Sequence, residues 1–380
     1  MINHTVADSV TSGNNDPPTF TAIEFASLLN VSKSAVMKWE REGRLPEARR
    51  IQRGAIKSRY YTGNDALEAR KTLNLPPLLK KGGHVQLFFN MKGGTGKSTI
   101  AYNYAAFIAS MGLRVLAIDL DGQSHLTLLL RVETNRESPS IMDLLDPNAD
   151  TNFKDVIKPT WIPNLDILPS NNTLTTLELF LFRLVQEKKT AYSSALLGNV
   201  LRDHLAGYDV VVIDTGPNLG LVNVNAIYVA DDIIVPVKTD YLSVEAASYL
   251  FEQLVEIQRA MKKDFNKIFL LPNMYDQTKN ICKRSMMAIQ QNFSEYLCNT
   301  VVSESAAITT ATANSSPVFI HDKRSRGAID VVSFSREVLD VPVRPGDYWQ
   351  KNGSHHYTEE ENYSPVQNKN EGWGSQIRAQ

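Results

Sequence analysis

The segment Gly93-Gly94-Thr95-Gly96-Lys97-Ser98-Thr99 constrains the fold more than any other stretch of the chain. It follows an apolar run, Val85–Phe89, and opens a helical pattern that continues through Ser110 and is ended by Gly112. A strand that turns on glycines straight into a helix lets backbone N–H groups surround an anion with no Cβ in the way. The helix N-terminus adds partial positive charge at the same place. Lys97 is expected to reach the terminal phosphates of a nucleotide, and the Ser98 hydroxyl to ligate Mg²⁺. Such a turn belongs at the carboxyl edge of a parallel sheet, where doubly wound folds bind their ligands.

Further apolar runs support that sheet. Val115–Asp119, Leu165–Leu168, Val210–Asp214, Ile233–Val237 and Ile268–Leu271 alternate with helical stretches. The alternation predicts a mostly parallel α/β domain over residues 84–343. Residues 1–18 are rich in Ser, Thr, Asn and Asp, end in Pro17-Pro18, and read as a disordered lead-in. Residues 19–80 carry short helical patterns, closed by Leu75-Pro76-Pro77 and then Gly82-Gly83. Residues 344–380 are polar and without periodicity, and read as a disordered tail.

The chain of 380 residues is 43% hydrophobic and 21% charged, ample for a large core. Its formal net charge of −1 excludes a polycation, so any nucleic-acid binding must come from a local patch. Cys282 and Cys298 provide neither a disulfide framework nor a zinc spacing. The first residues lack the apolar core of a signal peptide, and no apolar run reaches the ~18 residues of a membrane span. A cytoplasmic protein is expected.

Two strands end in carboxylates. Asp119 and Asp121, in Asp119-Leu120-Asp121-Gly122-Gln123, fall on the same side if extension continues. Beside a phosphate loop they would repel each other unless a cation lay near. Val210–Asp214 is apolar until its last residue, which suits a Walker B carboxylate in the shell of Mg²⁺.

The general P-loop has glycine where this chain has Lys92, so the motif reads Lys-Gly-Gly-Thr-Gly-Lys-Ser. This resembles the deviant Walker A motif of the ParA and MinD superfamily. Asp119 to Gln123 looks like the family's Asp-x-Asp-Pro-Gln, with Gly122 in place of proline. Asp214-Thr215-Gly216-Pro217-Asn218-Leu219-Gly220 looks like its Asp-Thr-Pro-Pro-Ser-Leu-Gly, with departures at Gly216 and Asn218. Leu165–Asn171, Ala230–Val237, Asn273–Asp276 and Pro317 through Ala328 follow in the family's order, so the resemblance spans roughly residues 84–340.

The resemblance implies a doubly wound P-loop NTPase fold with ATP and Mg²⁺ as cofactors. The nucleotide would be held by Lys92, Gly93, Gly94, Thr95, Gly96, Lys97, Ser98, Thr99 and Asn273, and the metal by Ser98, Asp119 and Asp214. Lys92, Lys97, Asp119 and Asp121 would be the catalytic set. Whether Asp119 or Asp121 orients the attacking water stays open. Lys92 would cross an ATP-dependent homodimer to touch the partner's nucleotide. A cation supplied in trans offsets the repulsion between two triphosphates.

Residues 19–80 hold twelve basic and six acidic side chains, a local charge of +6. Helical patterns at Thr21–Leu29 and Lys33–Glu40, with Ser32 as N-cap between them, predict a helix-turn-helix. Glu42 to Pro46 and Arg59-Tyr60-Tyr61 resemble a MerR-like winged helix. On this reading Lys33, Ser34 and Lys38 face the major groove, and Arg49, Arg50, Arg53 and Arg59 sit near phosphates. A protein-docking module is the alternative for this zone. Arg324 and Arg326 are candidates for non-specific DNA contact from the ATPase domain, which salt would weaken.

The expected function is ATP-dependent DNA partition by a nucleoid-associated ATPase. Sandwich dimers would bind DNA non-specifically and be released when a ParB-like centromere-binding protein stimulates hydrolysis. The N-terminal module would repress the protein's own operon. A nucleotide-sensing transcriptional regulator and a ParA-like ATPase that positions a non-DNA cargo are the alternatives. A membrane role like that of MinD would want a terminal amphipathic helix, and residues 346–380 lack the stripe.

Overall fold

The computed structural model describes residues 16–350 apart from 54–55, 80–81, 147, 172–173, 175, 187–195 and 202–203. An N-terminal module comes first: α1 (Ala22–Leu28), α2 (Lys33–Arg41), the hairpin β1 (Arg49–Arg53) and β2 (Ile56–Tyr60), and α3 (Gly63–Thr72). The body follows as β3 (His84–Phe88), α4 (Lys97–Ser110), β4 (Val115–Leu120), α5 (His125–Leu129), α6 (Ile141–Leu145) and α7 (Phe153–Val156). Next come β5 (Lys158–Pro159), β6 (Leu165–Leu168), α8 (Leu177–Gln186), α9 (Leu196–Leu201), β7 (Val210–Thr215), α10 (Leu221–Val229) and β8 (Asp232–Lys238). Then α11 (Ser243–Met261), β9 (Lys267–Asn273), α12 (Asn280–Phe293), α13 (Ala306–Ala313), α14 (Val318–His321) and α15 (Arg326–Val338) complete it.

The strands run in the order β5-β6-β4-β7-β3-β8-β9. All neighbours are parallel except the two-residue edge strand β5, which is antiparallel to β6. Each apolar run picked out in the sequence is a strand of this sheet. The edge strand β5 is not legible in the sequence, because two residues carry no periodicity. The central strands are apolar on both faces because both are covered. Val210 and Val212 join the core under α4, while Val211 and Ile213 join the core on the other face. Alternation therefore sends Asp214, and likewise Asp119 after Val115 and Ala117, to the α4 face.

Helix α4 is nearly all buried, since α3, α5, α14 and α15 also pack around it. Its C-terminal end meets the N-terminal module directly. Gly112 has φ +89°, and a Cβ there would come 2.6 Å from the Ala66 carbonyl carbon, so only glycine allows this approach. Arg70 donates to the carbonyls of Met111 and Leu28. Lys323 pairs with Glu24 at 2.8 Å, and the fully buried Arg336 pairs with Asp347 at 2.9 Å and donates to the Ser27 carbonyl. Phe20, Phe25 and Leu28 share one continuous core with Phe107 and Phe319. The glycine pair at 82–83 marks a change of composition but not a break in packing.

The chain expected to be a tail from residue 344 is part of this core at its start. Trp349 is 1% exposed and sits edge-on to Phe107 at 5.8 Å and Phe319 at 6.4 Å. The Tyr348 N–H donates to the Ser27 hydroxyl. The average composition of this polar stretch hides the adjacent pair Tyr348 and Trp349, although burying one indole is a large gain. The remaining tail, 351–380, and most of the lead-in, 1–15, lie outside the described residues. Trp349→Ala is expected to lower the unfolding free energy by about 3–5 kcal/mol, read from urea denaturation. A loss below about 1 kcal/mol would show that this segment does not belong to the core.

Candidate functional site

The glycine loop lies where β3 runs into α4, at the carboxyl edge of the sheet. Gly94 (φ +70°) and Gly96 (φ +86°) adopt left-handed backbone conformations. At Gly96 space is equally strict, because a Cβ would lie 2.4 Å from Asn273 Nδ2. Asn273, at the end of β9, donates from that nitrogen to the Thr95 carbonyl at 2.7 Å, and its Oδ1 accepts from the Met274 N–H. The expected nucleotide residue Asn273 is thus a buried brace under the loop. Gly93 and Gly94 are exposed, Ser98 and Thr99 are half-buried, and the Thr95 hydroxyl is buried without a hydrogen-bond partner.

Lys97 is the first residue of α4 and is 6% exposed. Burial lowers its pKa, while the charges of Asp214 and Asp121 oppose that shift. In the sheet register Asp119 of β4 stands directly opposite Asp214 of β7. Both are 0% exposed. Adjacent strands are only ~4.8 Å apart, so two carboxylates on one face strongly disfavour double ionisation. Burial, and then the charge of Asp119, push Asp214 well above the usual carboxylate range. Ser98 is close enough to favour the ionised form, yet both Asp214 oxygens lack a well-formed hydrogen bond. Asp119 is raised to about 6, mainly by burial, against hydrogen bonds from Thr127 and the Asp121 N–H that lower it.

The two aspartates of the β4 turn therefore differ. Asp119 Oδ2 accepts from the Thr127 N–H at 2.8 Å and its hydroxyl at 2.7 Å. Asp121 is only half-buried, and its Oδ1 accepts from the Gln123 N–H at 3.0 Å. Asp119 and Asp214 are the facing buried pair, and the charge of Asp121 adds to the repulsion on both. Lys92 Nζ makes a bidentate ion pair with Asp240, at 2.7 and 2.8 Å, in the turn after β8. Thr127 and Asp240 were missed in the sequence. They lie 8 and 148 residues from their partners, and no local pattern marks either.

The structure brings three of the N-terminal candidates, Lys33, Arg50 and Arg59, to one cleft. Ser32 caps α2 by accepting from the Ala35 N–H, and Arg59 of the hairpin reaches Met37 and Glu40 of α2. A cleft of about 450 Å³ is lined by Lys33, Met37, Arg50, Ser58, Arg59 and the start of α1. Lys33 and Arg49 are exposed; Ser34 contacts the Ser32 hydroxyl. Lys38 neighbours Glu42 at 3.8 Å, Arg50 neighbours Glu47 at 3.2 Å and Arg59 neighbours Glu40 at 3.3 Å, so their charge is partly offset. Arg53 ends β1. Arg324 and Arg326 do not line this cleft. Arg324 stacks over Tyr348 at 5.4 Å, and Arg326 sits 4.0 Å from Asp330. Among the described residues no helix is long and apolar enough to cross a membrane.

A family model described as an AAA domain matches residues 83–267. The cell division protein PomZ of Myxococcus xanthus is 33% identical over 339 residues, covering 89% of this chain and 98% of PomZ. That span exceeds the 84–343 body. The sporulation initiation inhibitor protein Soj of Bacillus subtilis is 29% identical over 256 residues, covering 67% of this chain and 98% of Soj. The fold is also that of McdA from Cyanothece in a complex with ATP, with a TM-score of 0.60 at 17% identity over 69% of this chain and 98% of that one. With the glycine loop, its preceding lysine and the paired strand-end aspartates in place, the chain belongs to the ParA-type family of deviant Walker partition and positioning ATPases.

Proposed function

We propose that this chain hydrolyses ATP and uses the cycle to partition DNA. The observation that carries the reading is Asp214: a buried carboxylate with no well-formed hydrogen bond, facing Asp119 beside Lys97 and Ser98. Such an arrangement is costly unless a cation compensates it. Among the described residues no three His, Cys, Asp or Glu side chains form a metal cage. Mg²⁺ needs none, since it takes one or two carboxylates plus phosphate and water oxygens. Ser98 and Asp214 would hold it, with the charge of Asp119 behind them. The ion would neutralise phosphate charge as the terminal phosphoryl group leaves.

The chain's own residues supply the rest. The loop N–H groups and Lys97 bind the phosphates. Asp119 is committed to Thr127, so it anchors the β4 turn, and Asp121 orients the attacking water. Lys92 leaves Asp240 to reach the nucleotide of a second copy. The closed dimer binds DNA through basic residues including Arg324 and Arg326, and a ParB-like partner stimulates its release. The N-terminal module reads an operator as a winged helix-turn-helix, through Lys33, Ser34 and Lys38 with Arg49, Arg50, Arg53 and Arg59 near the backbone. It thereby represses its own operon, and the protein works at the nucleoid.

A second reading is positioning of a division apparatus instead of DNA, favoured by the identity to PomZ across nearly all of that protein. Both readings share the nucleotide switch. Lys92→Ala is expected to bind ATP as a monomer but to form no ATP-dependent dimer in light scattering. Dimerisation like that of the unmodified chain would remove the role of Lys92 in trans.

A further inference from the structure

Gly216 and Asn218 stand where the family has proline and serine, and the structure gives the exchange a chemical sense. A Cβ at Gly216 would lie 3.4 Å from Asp121 Oδ1 and 3.6 Å from Asn218 Nδ2. The side-chain position of the buried Gly216 is therefore flanked by a carboxylate and an amide. The amide's direction is set by its surroundings. Asn218 Oδ1 accepts from the Gly220 N–H at 3.0 Å and from Asn223 Nδ2 at 3.1 Å. Two donors on that atom leave Nδ2 as the end that faces Gly216. Asn223, 1% exposed, also donates to the carbonyls of Gly216 at 2.9 Å and Asn218 at 2.8 Å, which pins the turn. The turn leans on the phosphate loop, with Pro217 Cγ 4.0 Å from where a Cβ of Gly93 would be.

We infer that Asn218 is a positioning residue for the attacking water, which sits beyond Gly216, between Asp121 Oδ1 and Asn218 Nδ2, where no side chain projects. This rests on the reading of the chain as an ATPase. The water donates one hydrogen to Asp121 and accepts a hydrogen bond from Asn218 Nδ2. Its remaining lone pair then points at phosphorus. The water oxygen bonds to the terminal phosphorus as the bond from that phosphorus to the bridging oxygen breaks. The bridging oxygen leaves with the electron pair as part of ADP, and the water's proton passes to the Asp121 carboxylate. A proline at 216 would fill the space, and this chain has none there.

The test is steady-state turnover of Mg²⁺-ATP by full-length Asn218→Asp and Gly216→Ala, with ATP-dependent dimerisation measured alongside. Asn218→Asp keeps the acceptor that Gly220 and Asn223 use but removes the donor. Gly216→Ala adds a methyl group that crowds the space between Asp121 and Asn218 where the water would sit. Both are expected to lower kcat roughly 10- to 100-fold, with KM for ATP and the dimer changed by less than about twofold. Unchanged kcat in Asn218→Asp would overturn the inference. So would a parallel loss of ATP affinity, which would assign Asn218 a purely structural part in the turn. Absence of turnover in the unmodified chain would overturn the ATPase reading itself, whereas turnover with an unaffected Asn218→Asp overturns only this inference.

Discussion

Lys97→Ala is expected to abolish measurable ATP turnover and to cost about 2–5 kcal/mol in nucleotide affinity. Lys97 is 6% exposed at the first position of α4, where burial already disfavours its charge. A buried ammonium is costly unless negative charge stands beside it, and Asp214 and Asp121 are its charged neighbours. Removing it takes away the cation that meets the terminal phosphates, and leaves the Asp119 and Asp214 pair less compensated. Titration calorimetry with ATP and Mg²⁺ reads the affinity, and a thermal melt confirms that the variant is folded. A folded Lys97→Ala protein with undiminished heat of ATP binding would place the nucleotide elsewhere.

Asp121→Asn should separate binding from chemistry. The expected fall in kcat is at least about 100-fold, with ATP affinity kept and the ATP-bound dimer accumulating. The reason is division of labour within the β4 turn. Asp119 holds Thr127 by two hydrogen bonds and is fully buried, whereas Asp121 is open to the space beside Gly216. Phosphate release and light scattering on the same sample measure both quantities. Normal turnover in Asp121→Asn, with loss in Asp119→Asn, would reverse the assignment.

The glycine loop, the strand ends and the helix after them were legible because their signals are local. Glycine at positive φ, a buried apolar run and a terminal carboxylate each occupy a few consecutive residues. The order of the motifs by itself points to the ATPase family. The N-terminal helices were legible for the same reason, through Ser32 and the spacing of apolar residues. What stayed hidden was the pairing of particular side chains. Asp240 as the partner of Lys92, and Thr127 as the anchor of Asp119, are contacts across chain separations that no pattern records.

Sequence alone determined that a phosphate-gripping turn, three strand-end aspartates and a basic helical module exist on this chain. Only the tertiary structure decided which aspartates face each other and where the basic module ends. The first depends on strand register, which sets Asp119 against Asp214 and frees Asp121. The second depends on which side chains fill the space around α4, so that Phe25, Phe107, Phe319 and Trp349 join in one core despite lying at opposite ends of the chain. Backbone preference acts over neighbouring residues, whereas register and close packing are properties of surfaces brought together only by folding.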